Sequence, residues 1–155
     1  PSSGLHTNGY SLARRVLAPL GYESRPALLG GVSIGEALLA VHRPYLREIE
    51  AVWAAGLTIH ALAHITGGGV WDNLPRVLPH GLGAQLRHGS WDIPPIFELL
   101  VGQAGLNEHE AFHALNMGLG MLLLLPAAEA DAALRVLPEA RLVGEVVVGA
   151  GVVLK

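Results

Sequence analysis

Residues 60–69 read His60-Ala61-Leu62-Ala63-His64-Ile65-Thr66-Gly67-Gly68-Gly69, a β-compatible run that stops at three consecutive glycines. Glycine loses more backbone freedom on folding than any other residue, so a triple run is costly to order. Two arrangements would offset that cost. One is a tight turn from strand to helix. The other is close approach of main-chain N–H groups to a ligand that leaves no room for a Cβ, with an anion as the natural choice. An ordered pattern resumes at Val70-Trp71-Asp72-Asn73-Leu74.

A chain of 155 residues suits one domain with a real core. Hydrophobic residues make up 51% and charged residues 15%, where soluble domains usually carry about 25% charged. Mean hydropathy is +0.42, which excludes a disordered chain. Either some faces are covered by another domain or subunit, or the surface is unusually apolar. Net charge is −3, and Lys155 is the sole lysine. No basic stripe is visible, so nucleic acid is not an expected partner. Cysteine is absent, which excludes disulfides and thiol chemistry and fits a cytoplasmic setting. The aliphatic run Met121–Leu125 is too short to span a bilayer, and no basic segment opens a signal peptide. No membrane association is expected. The opening Pro1-Ser2-Ser3-Gly4 has no initiator Met and reads as the interior of a longer protein.

Periodicity predicts helices and strands in mixture. After the turn signal Thr7-Asn8-Gly9, the spacing of Leu12, Val16 and Leu20 predicts a short helix capped by Asn8 or Thr7. Residues 26–35 read as a loop. A helix is expected from Pro44 to Ala55, burying Leu46, Ile49 and Trp53. Residues 57–66 read as a strand buried on both faces. Further helices are expected over 68–74, after Pro94-Pro95, after the capping-box pair Asn107 and Glu110, and from Ala127 to Leu137. Strands are expected at Ala84–Arg87 and Met121–Leu125, with 142–148 and 151–154 as a terminal β pair. This mixture predicts a layered sandwich around a mixed sheet.

Eight histidines make a metal site the first chemistry to test. On a strand, His60 and His64 would lie roughly 13 Å apart, too far to share an ion bound at about 2 Å. No cysteine or His-Glu pair restores the case, and no metal site is expected. His64 shortly precedes Gly67 at the end of a strand, where α/β folds commonly contact ligands. It either donates to a phosphate or hydroxyl, or bonds to the glycine turn itself. His6 lies similarly before Asn8-Gly9, and Asn116 before Gly118 and Gly120. These polar groups either converge at one sheet edge or serve three unrelated turns. A nucleophile elbow and the Walker lysine are both absent.

Five stretches carry a family resemblance when taken together. They are Ser3-Gly4-Leu5-His6-Thr7-Asn8-Gly9-Tyr10-Ser11-Leu12, Ala63-His64-Ile65-Thr66-Gly67-Gly68-Gly69, Asn73-Leu74-Pro75-Arg76-Val77-Leu78-Pro79, Ser90-Trp91 with Pro94-Pro95-Ile96-Phe97, and Asn116-Met117-Gly118-Leu119-Gly120-Met121. In this order they resemble the C-terminal domain of phosphoribosylformylglycinamidine cyclo-ligases, the aminoimidazole ribonucleotide synthetases. The chain departs from the family's usual Pro-Thr-Arg-Ile-Tyr at Val41-His42-Arg43-Pro44-Tyr45. It departs again at Phe112-His113-Ala114-Leu115-Asn116, where the family often has Tyr-Arg-Thr-Phe-Asn.

The resemblance implies an α/β sandwich of the α+β type, a mixed β-sheet packed with helices, with residues 1–155 as the C-terminal domain of a two-domain enzyme. It implies ATP-dependent closure of formylglycinamidine ribonucleotide to aminoimidazole ribonucleotide in purine biosynthesis. An absent N-terminal domain would hold most of the ATP and Mg²⁺, and the full enzyme would be a homodimer in the cytoplasm. On this reading His64 and Asn116 are catalytic. His6, Asn8, Gly9, Thr66, Gly67, Gly68, Gly69 and Gly118 bind substrate or phosphate, with Gly68 expected to matter more for function than for folding. The alternatives are a non-catalytic domain that binds phosphorylated metabolites, or a related phosphotransferase such as thiamine-monophosphate kinase or selenophosphate synthetase.

Overall fold

The computed structural model describes residues 1–155. In chain order the elements are α1 (Tyr10–Leu17), α2 (Ile34–Leu38), α3 (Leu46–Ala54), β1 (Ala61–His64), α4 (Gly69–Asn73), β2 (Leu82–Leu86), α5 (Pro95–Ala104), α6 (Glu108–Ala114), β3 (Met121–Leu124), α7 (Ala130–Val136), β4 (Gly144–Val148) and β5 (Gly151–Leu154), with short 3₁₀ turns between some of them.

Local rules account for many of these boundaries. Pro95 opens α5, where a missing N–H costs nothing, and Gly105 closes it in the left-handed region. The Asn107 side chain accepts from Glu110 N–H at 3.0 Å, and Glu110 accepts from Asn107 N–H at 2.8 Å. That is the capping box expected at the start of α6. The same device starts α2, where Ser33 and Glu36 bond reciprocally at 3.1 and 2.7 Å. Residues 26–35 are therefore not simply a loop. Their glycines obscured an S-x-x-E signal.

Packing overrules the expected faces of two helices. In α1 the buried residues are Ala13 and Leu17. Leu20 is 38% exposed, because Pro19 turns the chain into a 3₁₀ segment and breaks the four-residue spacing. The cap of α1 is Gly9, with no side-chain bond from Asn8 or Thr7. In α3, Ile49 and Val52 face the core, while Leu46 and Trp53 are exposed.

The fold is of the α+β type, but its strands form two sheets. β1 pairs antiparallel with β3, His64 opposite Met121. β1 is buried on one face only, with Ala63 inside and His64 exposed. The second sheet has the order β4-β2-β5, β4 antiparallel and β5 parallel to β2. The two terminal strands therefore flank β2 and do not pair with each other. The chain crosses over the start of β2 at Gly149-Ala150, where Gly149 N–H donates to Gly81 O at 2.9 Å. One core joins the elements, with Leu17, Ile34, Ile65, Phe97, Leu100 and Leu115 fully buried. α1 packs on α5, and α4 on α6. No helix is long and apolar enough to cross a membrane.

Candidate functional site

The motifs named above meet in space. Asn116, only 1% exposed, ties the opening segment to the turn before β3. Its Oδ1 accepts from Ser2 Oγ at 2.9 Å and from Gly118 N–H at 3.0 Å, and its Nδ2 donates to Gly4 O at 2.8 Å. Ser2 N–H adds a bond to Gly118 O at 2.7 Å. The Ser90-Trp91 motif docks on the same turn, with Trp91 Nε1 donating to Met117 O at 2.9 Å. Asn116 thus uses both acceptor positions of Oδ1 and one of its two Nδ2 hydrogens on the fold. These bonds give Asn116 a positioning role in the fold and leave one Nδ2 hydrogen for the catalytic role expected of it.

This scaffold holds His6 in the left-handed region at φ 61° and 5% exposed. Such a conformation is uncommon outside glycine and persists only where surroundings enforce it. Three rings surround His6. His42 stacks on it with centroids 3.9 Å apart and planes at 12°. His64 and Tyr45 lie with centroids at 6.1 Å. His42 and His64 are 5.4 Å apart. His6 Nε2 accepts from Ser3 N–H at 3.2 Å and lies 3.4 Å from Tyr45 Oη, whose own proton goes to Pro1 O at 2.9 Å. His6 Nδ1 is buried with no partner.

The environment sets the charge of this cluster. Burial, then the neighbouring His42 and His64, pushes the His6 pKa down to about 4. Burial and His42 also lower that of His64, and burial raises Tyr45 to about 12. Near neutral pH His6 and His64 are uncharged imidazoles, able to donate or accept a hydrogen bond but offering no cation. The nearby Arg43 is already paired with Glu48 and Glu139, both at 2.6 Å.

The glycine-rich turn is held by Asn73, whose Nδ2 donates to Gly69 O at 2.7 Å and Gly67 O at 3.1 Å. Thr66 Oγ1 donates to Asn73 Oδ1 at 3.2 Å. Asn73 belongs to the family motif Asn73-Leu74-Pro75-Arg76, and its role shows only in the fold. Its short polar side chain, four residues after Gly69, was the available signal. Gly68 and Gly69 have positive φ, and a Cβ on either would overlap the Asp72 side chain or the Phe112 carbonyl oxygen. Close packing likewise accounts for Gly9 against Leu115 and Gly118 against Asp92 O. Gly68 thus has a reason in the fold to lack a side chain, beside the functional role expected of it. Gly67 is different. It is exposed, lacks positive φ, and has no atom near its would-be Cβ. It is the glycine of the three that the fold leaves unexplained. Asn8, at the foot of α1, has both amide atoms buried and unpartnered, a cost of about 1–3 kcal/mol per group unless a ligand or water supplies partners.

The pairing of His64 with His60, used above to dismiss a metal, is not the relevant one. The structure brings His64 to His6 and His42, one ligating atom of each lying within 4.8 Å of the others. Sequence reasoning missed His42, whose only signal was its departure from the family's Thr. A mainly apolar groove of about 800 Å³ runs between α3, β3 and α7 and reaches the cluster at Tyr45. Of the expected site residues only Gly118 lines it, together with Arg43, Arg47 and Arg141. His42, His64 and Tyr45 line a smaller, open pocket of about 440 Å³.

Comparison with known proteins places these observations. The family described as AIR synthase related protein, C-terminal domain, matches residues 1–155. The chain is 44% identical to a protein named phosphoribosylformylglycinamidine cyclo-ligase from Shouchella clausii (strain KSM-K16), covering 99% of this chain and 46% of that protein. Proteins of the same name from Geobacillus thermodenitrificans (strain NG80-2) and Bacillus cereus (strain B4264) are 43% and 41% identical, over 98% and 97% of this chain and 45% of each relative. The chain thus spans just under half the length of the curated relatives it matches.

Proposed function

Because the chain belongs to the AIR synthase related protein family, as its C-terminal domain, we propose that the protein carrying it closes formylglycinamidine ribonucleotide to aminoimidazole ribonucleotide at the expense of ATP. The observation that carries this reading is the match of nearly the whole chain, at 41–44% identity, to three proteins named as that cyclo-ligase. None of those names favours a thiamine-monophosphate kinase, a selenophosphate synthetase or a pure binding domain.

The chemistry needs an activated oxygen. A formamide oxygen leaves poorly, so ATP first transfers its γ-phosphoryl group to it, releasing ADP. The amidine nitrogen then attacks the same carbon, the C–O bond breaks, and phosphate departs as the five-membered ring closes. An enzyme must fold the substrate and stabilise charge on phosphoryl oxygens. His64, exposed at the end of β1, is the imidazole this chain presents to substrate, with His6 behind it. The Asn8 amide and the Gly67 backbone are the remaining contacts, with Thr66, Gly68, Gly69, Gly9 and Gly118 shaping the turns that present them.

The rest of the active site lies in the other half of the enzyme, which on this reading binds the nucleotide and forms a homodimer in the cytoplasm. Leu39 and Val41, 81% and 84% exposed in the segment leading to His42, are suited to being covered by that half. Mg²⁺ prefers oxygen ligands, and this chain's one group of three metal-ligating side chains is made of histidines. The residues here do not fit Mg²⁺. The test is turnover of the full-length protein with ATP and formylglycinamidine ribonucleotide, beside thiamine monophosphate and selenide. Ring closure with matching phosphate release is expected. Activity on either rival acceptor, with none on the purine precursor, would overturn the reading.

A further inference from the structure

We propose that His6, His42 and His64 form a binding site for a divalent transition-metal ion of the Zn²⁺ class. The donor set is three imidazoles, one atom of each within 4.8 Å of the others. Nitrogen donors of this kind suit Zn²⁺, Co²⁺ and Ni²⁺ and not Mg²⁺ or Ca²⁺. Three protein ligands leave further positions open, and the site faces solvent through the pocket lined by His42 and His64.

A second observation points to a ligand. His6 is 5% exposed, yet its Nδ1 has no partner. An orphaned buried nitrogen is costly unless something binds it. The other side of the ring is prepared for coordination at Nδ1. Tyr45 Oη gives its proton to Pro1 O and stands 3.4 Å from His6 Nε2 with lone pairs free. It can therefore accept from Nε2–H, as an outer partner of a metal-bound histidine does. The bond from the exposed Ser3 N–H to Nε2 is given up in that state.

The site closes by moving His42. Its ring now stacks flat on His6, so the two sets of in-plane lone pairs run side by side and do not converge. Three nitrogens around one Zn²⁺ at about 2.0–2.1 Å sit roughly 3.4 Å apart, closer than at present. His42 lies outside any helix or strand, next to the highly exposed Val41. Closure requires the half-buried His42 ring to swing out of the stack, whereas the segment carrying His6 is tied down by Asn116. His42 is also where this chain replaces the Thr usual in the family it resembles, so the third ligand is a feature of this sequence.

The test uses the full-length protein, stripped with chelator and titrated with Zn²⁺ by calorimetry and with Co²⁺ by visible absorption. Binding of one ion per chain at this site is expected, with Co²⁺ bands of a low-coordinate nitrogen site. His42→Thr should weaken that binding tenfold or more, while His60→Ala, on an exposed residue outside the cluster, should not. His42→Cys should retain binding and add a thiolate-to-Co²⁺ charge-transfer band, which only direct ligation produces. Equal affinity in wild type and His42→Thr, or no charge-transfer band from a folded His42→Cys protein with Co²⁺ bound, would overturn the proposal. So would the absence of any binding.

Discussion

The imidazoles of His6 and His42 stack face to face, 3.9 Å between centroids, with His6 buried to 5% exposure and held near a pKa of about 4. A histidine whose folded pKa lies below its ordinary 6.5 binds fewer protons folded than unfolded between those two values. Stability should therefore fall as pH drops from about 6.5 to about 4. The ceiling is about 3 kcal/mol at 1.4 kcal/mol per pH unit. His42, His64 and Tyr45 are the titratable groups facing the ring. Urea midpoints taken across this range with chelator present measure the effect. His6→Asn, which tolerates the left-handed backbone, should flatten the slope; an unchanged slope would place the acid sensitivity elsewhere.

Gly67 and Gly69 should separate function from folding. Gly69→Ala drives a methyl group into the Phe112 carbonyl where α4 meets α6, so thermal unfolding should show a severe loss of stability. Gly67→Ala meets open space and should stay within about 0.5 kcal/mol of wild type. Steady-state assays of the full enzyme should nonetheless show kcat/KM reduced tenfold or more in Gly67→Ala, if its backbone approaches substrate. Wild-type kinetics in that variant would reduce the segment to a turn.

Asn116→Ala should act through stability. It strands Ser2 Oγ, Gly4 O and Gly118 N–H together, for a cost on the order of 3 kcal/mol or more. Denaturant unfolding measures it. A variant of wild-type stability with kcat abolished would return Asn116 to the chemistry.

Several elements were legible in the chain because their causes are local. Asn107 and Glu110 carry the start of α6 within one turn of helix, and Pro94-Pro95 carries the start of α5. The three glycines between β1 and α4 announced a sharp turn, and five short motifs in order announced the family. These depend on residues a few positions apart, so spacing and residue type sufficed.

What the sequence left undecided depends on partners far along the chain. Nothing local states that β4 and β5 flank β2, since that pairing joins segments far apart in the chain. Nothing local shows that α3 buries Ile49 and Val52 and leaves Trp53 outside, because its apolar residues exceed one face. No local pattern shows that Asn116 ties Ser2, Gly4 and Gly118 together. His6, His42 and His64 come from three separate segments, and no spacing rule links them. Only the tertiary fold, by docking the opening segment against the turn before β3 and the end of β1, places their rings in contact.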